Sequence, residues 1–228
     1  GKIIKAEALI RWNHPTKGLV CPDDFIPPSE KCGVIVAIGD WVFKEAASQS
    51  KEWLDKYKLD LQISINKSPI QFKFESKAES WVKYINDINL SSENIVIEIT
   101  ENVLMDNEND ILDKLLKLRE AGFQIALDDF GTGYSSISYL KKFAIDYIKI
   151  DRSFVSNLTS DSQDMILCEA MIGLAHKLGL KVIAEGIETQ SQNELLNFLN
   201  CDYGQGYLFS KPIPANEFAS LLKGQTQL

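Results

Sequence analysis

Seven short apolar stretches of this 228-residue chain each carry an acid, an amide or a lysine at or near the C-terminal end. Glu7 stands in 3–11, Asn66 closes 61–66, Glu98 lies in 95–100 and Asp128 closes 123–128. Lys149 lies in 147–151, Glu185 closes 181–185 and Gln205 lies in 203–209. Six of these seven groups are oxygen donors. Glu7, Asn66, Glu98 and Asp128 offer hard oxygen ligands with no histidine or thiolate among them, a set suited to Mg²⁺ or Mn²⁺, with Ca²⁺ as an impostor. Asp129 follows Asp128 directly, just past its strand, and could bridge to a second ion at the ~3.5–4 Å spacing of two-metal phosphoester sites. Taken alone, Asp128-Asp129-Phe130-Gly131 reads as a turn with two solvated carboxylates. The other strand ends tip the reading toward ligands.

Lys149 sits among Ile145, Ile148 and Ile150. A lysine in so apolar a strand needs a carboxylate partner or a functional role, because an unpaired buried ammonium is costly. A structural ion pair with Asp151 is one explanation. The other is stabilisation of phosphate charge or orientation of an attacking water. Residues 130–136, Phe-Gly-Thr-Gly-Tyr-Ser-Ser, form a glycine-rich loop leading into a helix, whose N-terminus could cradle phosphate. Glu185 follows the same strand-end logic as Glu98. Glu188 is more ambiguous, since Thr189 and Gln192 spell a capping box and Glu188 can lie on its exposed flank.

Strand-like segments alternate with helical patterns at 34–56, 80–88, 111–121, 135–143, 164–178, 191–199 and 214–222, which predicts βα units and a mainly parallel sheet. In the first helix Trp41, Val42, Ala46 and Trp53 are the expected core contacts. Parity then places the chemistry. Side chains alternate across a strand, so Ile95, Ile97 and Ile99 share one face while Glu98 and Thr100 share the other. Ile148 and Ile150 oppose Lys149 and Asp151, and Ile63 and Ile65 oppose Asn66. In a barrel the isoleucines meet the helices and the polar groups line the upper mouth, where barrel enzymes keep their active sites. No linker divides the chain, so one domain over 1–228 is expected, with a disordered tail after about 224. Seven strands are one short of a closed barrel, and a first strand missing before residue 3 is the simplest account.

Composition excludes several classes. The chain is 45% hydrophobic and 25% charged with a net charge of −8 and no basic block, which argues against binding duplex nucleic acid. An acidic protein can still take an anionic ligand through metal ions held by its carboxylates. His14 and His176 are the only histidines, too few for a histidine-rich zinc site. Cys21, Cys32, Cys168 and Cys201 are scattered and read as buried reduced thiols of a cytoplasmic protein. No apolar run has the length of a membrane helix.

The residues in this order resemble the EAL domain family of cyclic di-GMP phosphodiesterases. Glu7-Ala8-Leu9 with Arg11-Trp12 matches the naming signature. Further matches are Phe25-Ile26-Pro27, Asn66-x-Ser68-x-x-Gln71, Glu98-Ile99-Thr100-Glu101 and the Asp128–Ser136 run. The series ends with Lys149-Ile150-Asp151, Ala184-Glu185-Gly186-Ile187-Glu188 and Gln205-Gly206 through Lys211-Pro212.

The resemblance implies a (β/α)₈ TIM-like barrel whose first strand is antiparallel to the rest. It implies one or two Mg²⁺ or Mn²⁺ ions on Glu7, Asn66, Glu98, Asp128 and Asp129, with Ca²⁺ inhibitory. Lys149, Glu185, Glu188, Asp151 and Gln205 complete the catalytic centre by the same carry-over. Arg11, Leu9 and Gln205 touch the ligand, and Glu101 anchors the 131–136 loop, which couples the metal site to a dimer interface. The implied reaction opens one phosphodiester of cyclic di-GMP to linear pGpG in the cytoplasm. A homodimer and an upstream sensor or diguanylate cyclase domain are the implied partners, and membrane attachment of the whole protein stays open. Ala144 stands where the family commonly has proline. Competing readings are a catalytically silent cyclic di-GMP receptor or protein-interaction module, and a barrel enzyme acting on another phosphate ester. The complete acidic set speaks against the silent receptor.

Overall fold

A computed structural model describes residues 2–73, 78–105, 108–133, 140 and 142–225. The chain forms two compact units, one of residues 1–98, 117–124 and 214–228, the other of 99–116 and 125–213. All seven expected strands are present, but the last is only Tyr203–Gly204 of the expected 203–209, so Gln205 follows the strand instead of lying in it.

In the first unit β1 (Lys5–Ala8) pairs in parallel with β4 (Gln62–Asn66), which pairs in parallel with β5 (Ile95–Thr100). Between β1 and β4 lies an antiparallel hairpin that the sequence reading did not anticipate, β2 (Trp12–His14) with β3 (Gly18–Val20). Its signal is Pro15 and Gly18 inside a polar run, with Gly18 at φ +71° and His14 Nδ1 accepting the Thr16 and Lys17 amides.

The helix Ile35–Tyr57 covers this sheet with Ile35, Gly39, Phe43, Ala46, Ala47, Ser50 and Trp53, a spacing of three and four that makes one apolar face. Phe43 stacks on Trp81 with ring centroids 4.2 Å apart, and Phe123 meets Phe43 edge-on at 5.8 Å. Trp41 departs from expectation and is 53% exposed. It lies two residues, about 200° around the helix, from both Gly39 and Phe43, so it faces away from the core. Val42 is half-buried.

In the second unit β6 (Gln124–Phe130), β7 (Tyr147–Ile150), β8 (Lys181–Ala184) and β9 (Tyr203–Gly204) pair in parallel in that order. Helices Gln163–Lys177 and Gln190–Phe198 begin at Ser162 and Thr189, whose side chains accept the Met165 and Gln192 amides. The helix expected over 135–143 and the tail beyond residue 225 fall mostly outside the described residues. All four cysteines are free. Burial pushes the Cys168 thiol up to about 12 and Cys201 up to about 11, as expected of inert thiols. Cys21 and Cys32 are exposed, contrary to expectation, because they flank the two ends of the helix Pro22–Lys31.

Asp202 braces the start of β8. Its carboxylate accepts the Val182 amide at 3.0 Å, the Lys181 ammonium at 2.7 Å and His176 Nε2 at 2.8 Å. Burial alone raises its pKa, but these hydrogen bonds and the Lys181 charge outweigh it and leave the carboxyl below the ordinary range. A depressed carboxyl stabilises the fold above its unfolded value, about 3.9, and loses that stabilisation as pH falls through the lower folded value. Asp202→Ala is therefore expected to cost about 1–3 kcal/mol at pH 7, with the Val182 amide left unsatisfied. Urea melts at pH 7 and pH 3 check this: the gap between wild type and variant should shrink at the lower pH, and an unchanged gap would count against the ionised Asp202 brace.

Candidate active site

The first unit brings Glu7 and Asn66 together. The register sets Asn66 beside Glu98 on the neighbouring strand, and Asn66 Nδ2 donates to Glu7 Oε1 at 2.7 Å. Both faces of β5 are covered, so its residues 95–99 are buried without alternation and Glu98 is only 1% exposed. Arg11 Nη1 donates to the Ile10 carbonyl at 2.8 Å, and Leu9 is exposed.

In the second unit β6 runs two residues past its predicted end and carries an irregularity. Leu127 pairs with Ile148 but Phe130 pairs with Ile150, so β6 spends three steps where β7 spends two. That extra residue is a bulge, the device by which strands re-aim side chains beside active sites. Asp129 takes it up with φ +55°, and its amide donates to Asp128 Oδ1 at 3.0 Å. Two adjacent acids at a strand end were the visible signal, but the left-handed residue was not legible.

Lys149 is 1% exposed on β7. Its Nζ lies 2.7 Å from Glu185 Oε1 and 3.2 Å from Asp128 Oδ1. This answers the question the sequence raised: the buried ammonium pairs with the ends of the two flanking strands. Asp151 is not its partner and instead caps the helix Arg152–Val155, accepting the Ser153 amide at 3.0 Å. Burial raises the Asp151 pKa, but the Ser153 and Arg152 hydrogen bonds and the Arg152 charge reverse the shift and leave it lowered. Asp129 goes the other way. Burial, and then the charges of Asp128, Asp151 and Glu101, push its carboxyl up against the opposing pull of Lys149.

Tight turns carry the remaining acids. Gly186 has φ +70°, and a Cβ there would stand 2.5 Å from Arg152 Cβ. Ile187 N donates to the Gln205 carbonyl at 3.0 Å and Gln205 N to the Ala184 carbonyl at 2.8 Å, which laces Gln205 to the strand end bearing Glu185. Glu188 is exposed at the flank of the Thr189–Gln192 capping box. Gln192 also reaches the Val155 and Ser156 carbonyls at 3.0 and 3.1 Å, a second arm that no local pattern revealed. Glu101 Oε1 accepts the Gly131 amide at 2.9 Å, while its buried Oε2 has no hydrogen-bond partner among the described residues and would lie 2.5 Å from a Cβ at residue 133. Ser135 and Ser136 of the expected phosphate cradle lie outside the described residues.

Among the described residues no three His, Cys, Asp or Glu side chains gather into a ready-made metal cluster. The donors nevertheless fit Mg²⁺ or Mn²⁺ in kind. They are carboxylates and one amide, the burial and then the like-charge repulsion that raise Asp129 are both costs a cation offsets, and Mg²⁺ needs only one or two carboxylates beside its waters.

The family model of the EAL domain matches residues 1–212. The chain belongs to the EAL domain family. This EAL chain is 41% identical over 217 residues to the bifunctional diguanylate cyclase/cyclic di-GMP phosphodiesterase MucR of Pseudomonas aeruginosa, covering 95% of this chain and 32% of MucR. It is 36% identical to the cyclic di-GMP phosphodiesterase NbdA of the same organism, covering 98% of this chain and 28% of NbdA. It thus spans about a third or less of the length of these relatives. A solved structure of the PaMucR phosphodiesterase with c-di-GMP superposes with a TM-score of 0.90 at 40% identity, over 96% of this chain and 88% of that one. The EAL enzyme Bd1971, bound to cAMP and cyclic-di-GMP, gives 0.90 at 36% identity, over 96% and 60%. The fold is the TIM-like α/β fold of EAL domains, as expected.

Proposed function

We propose that this EAL domain hydrolyses one phosphodiester bond of cyclic di-GMP to give linear pGpG. The observation that carries the reading is the buried Lys149 ammonium held by Asp128 and Glu185 at the ends of neighbouring strands. Relatives named as cyclic di-GMP phosphodiesterases support the substrate.

The residues that would hold Mg²⁺ or Mn²⁺ are Glu7, Asn66, Glu98, Asp128 and Asp129. When bound, such an ion polarises the phosphodiester and offsets its negative charge. Water bonds to phosphorus as the bond to the 3′ oxygen breaks, one water proton leaves, and the 3′ oxygen ends protonated. Lys149 Nζ, fixed by its two carboxylates, stabilises charge on the phosphoryl oxygens. Glu185, 2.7 Å from Lys149 Nζ, holds that group in place. Gln205 and Glu188 place water and ligand, Asp151 positions the chain just past Lys149, Arg11 and Leu9 meet the ligand, and Glu101 ties down the loop that begins at Gly131.

MucR's named diguanylate cyclase activity, together with its greater length, supports a cyclase or other signalling domain beside this one in the whole protein. The homodimer is proposed as the working form on the family resemblance alone. No described helix is long and apolar enough to cross a membrane. Action in the cytoplasm is proposed on the family resemblance, not on that observation.

The test is incubation with cyclic di-GMP and Mn²⁺ followed by nucleotide separation. Product pGpG, lost in Glu7→Ala and suppressed by Ca²⁺, is the expected result. Binding without product would make the domain a receptor.

A further inference from the structure

The turn after β4 is built more elaborately than a loop end requires. Lys67 N donates to the Glu98 carbonyl at 2.9 Å, extending the ladder one residue past Asn66. Ser68 N then donates to the side-chain Oε1 of Gln71 at 3.0 Å, and Gln71 N returns a bond to the Ser68 carbonyl at 3.0 Å. Ser68 Oγ donates to Glu30 Oε1 at 2.5 Å and accepts the Ile70 amide at 3.2 Å. Gln71 is 8% exposed, so the turn two residues beyond Asn66 is fastened from inside the protein.

The neighbouring helix makes room for this. Gly39 lies within the helix Ile35–Tyr57, where glycine is less favourable than alanine. A Cβ at residue 39 would stand 1.9 Å from Gln71 Nε2 and 2.9 Å from its Oε1. The helix gives up one methyl group so that the Gln71 amide can lie against its backbone. An apolar residue at 71 would fill the same space without satisfying the Ser68 amide.

We infer that Gln71 is a positioning residue for Asn66, seated by Gly39 and acting through the Ser68 turn, and that it sets the divalent-cation affinity of the site. The inference rests on the metal-site reading above. Groups that orient a metal ligand without touching the metal typically govern about 10–100-fold in affinity.

The experiment is Mn²⁺ titration of the nucleotide-free chain, with free Mn²⁺ read by electron paramagnetic resonance, on wild type, Gln71→Ala, Gly39→Ala and the double variant. Each single change is expected to weaken Mn²⁺ binding about tenfold. The double variant should bind no more weakly than Gln71→Ala, because the new methyl group then has no amide to displace. Wild-type affinity in Gly39→Ala, which keeps Gln71 and gains helix propensity, would overturn the inference, as would losses that simply add in the double variant. Absence of Mn²⁺ binding in wild type would instead remove the metal-site reading on which it stands.

Discussion

Lys149→Met is expected to slow hydrolysis of cyclic di-GMP by about 10²–10³-fold, the usual effect of removing one preorganised donor from a developing oxyanion. Methionine keeps an unbranched, flexible side chain of similar length without the ammonium, so the main change is one of charge. The second consequence is on stability. Asp128 and Glu185 lose the cation that lies 3.2 and 2.7 Å away, and breaking a buried pair from one side costs about 3–5 kcal/mol. Their side chains remain 14% and 18% exposed and can partly rehydrate, which places the expected loss near the lower end, about 3 kcal/mol. Urea denaturation of the metal-free protein measures it. Metal-free protein is the right reference, because a bound cation would relieve the same two carboxylates. Wild-type turnover in Lys149→Met would take the lysine out of the chemistry and leave it a structural pair.

Asp128→Asn is expected to abolish turnover and leave the fold standing. The amide keeps an oxygen where Asp128 Oδ1 accepts the Asp129 backbone at 3.0 Å, so the bulge and its left-handed residue survive. Lys149 retains Glu185 at 2.7 Å, and stability should change by about 1 kcal/mol or less. What is lost is a negative charge for a cation, worth several kcal/mol in the transition state, or about three powers of ten in rate. Steady-state assays in Mn²⁺ beside a thermal melt separate the two effects. Loss of folded protein would show that the charge is structural, and turnover within tenfold of wild type would remove Asp128 from the ligand set.

Much of the site was legible in the order of residues because strand geometry is periodic. An alternation of two tells which side chains share a face, so Glu98 and Lys149 could be set against their isoleucine neighbours without coordinates. The helix starting at Thr189 was equally readable, since its capping box is a local pattern four residues long. Trp41 shows the limit of periodicity: an aromatic in a helical pattern looks like core until the buried face is known.

The amino-acid sequence by itself determined the βα alternation, the acids and amide at the strand ends, the family and the chemical kind of ligand those groups suit. Each of these depends on side-chain identity and on spacings of a few residues. Tertiary structure alone decided which carboxylates neutralise Lys149, because Asp151 is two residues away in the chain while Asp128 and Glu185 are brought up by the parallel strands on either side. It also decided the bulge at Asp129 and the seat of Gln71 against Gly39. Those depend on the register of one strand against another and on how closely a helix approaches a turn. Contacts between residues distant in the chain leave no local pattern to read.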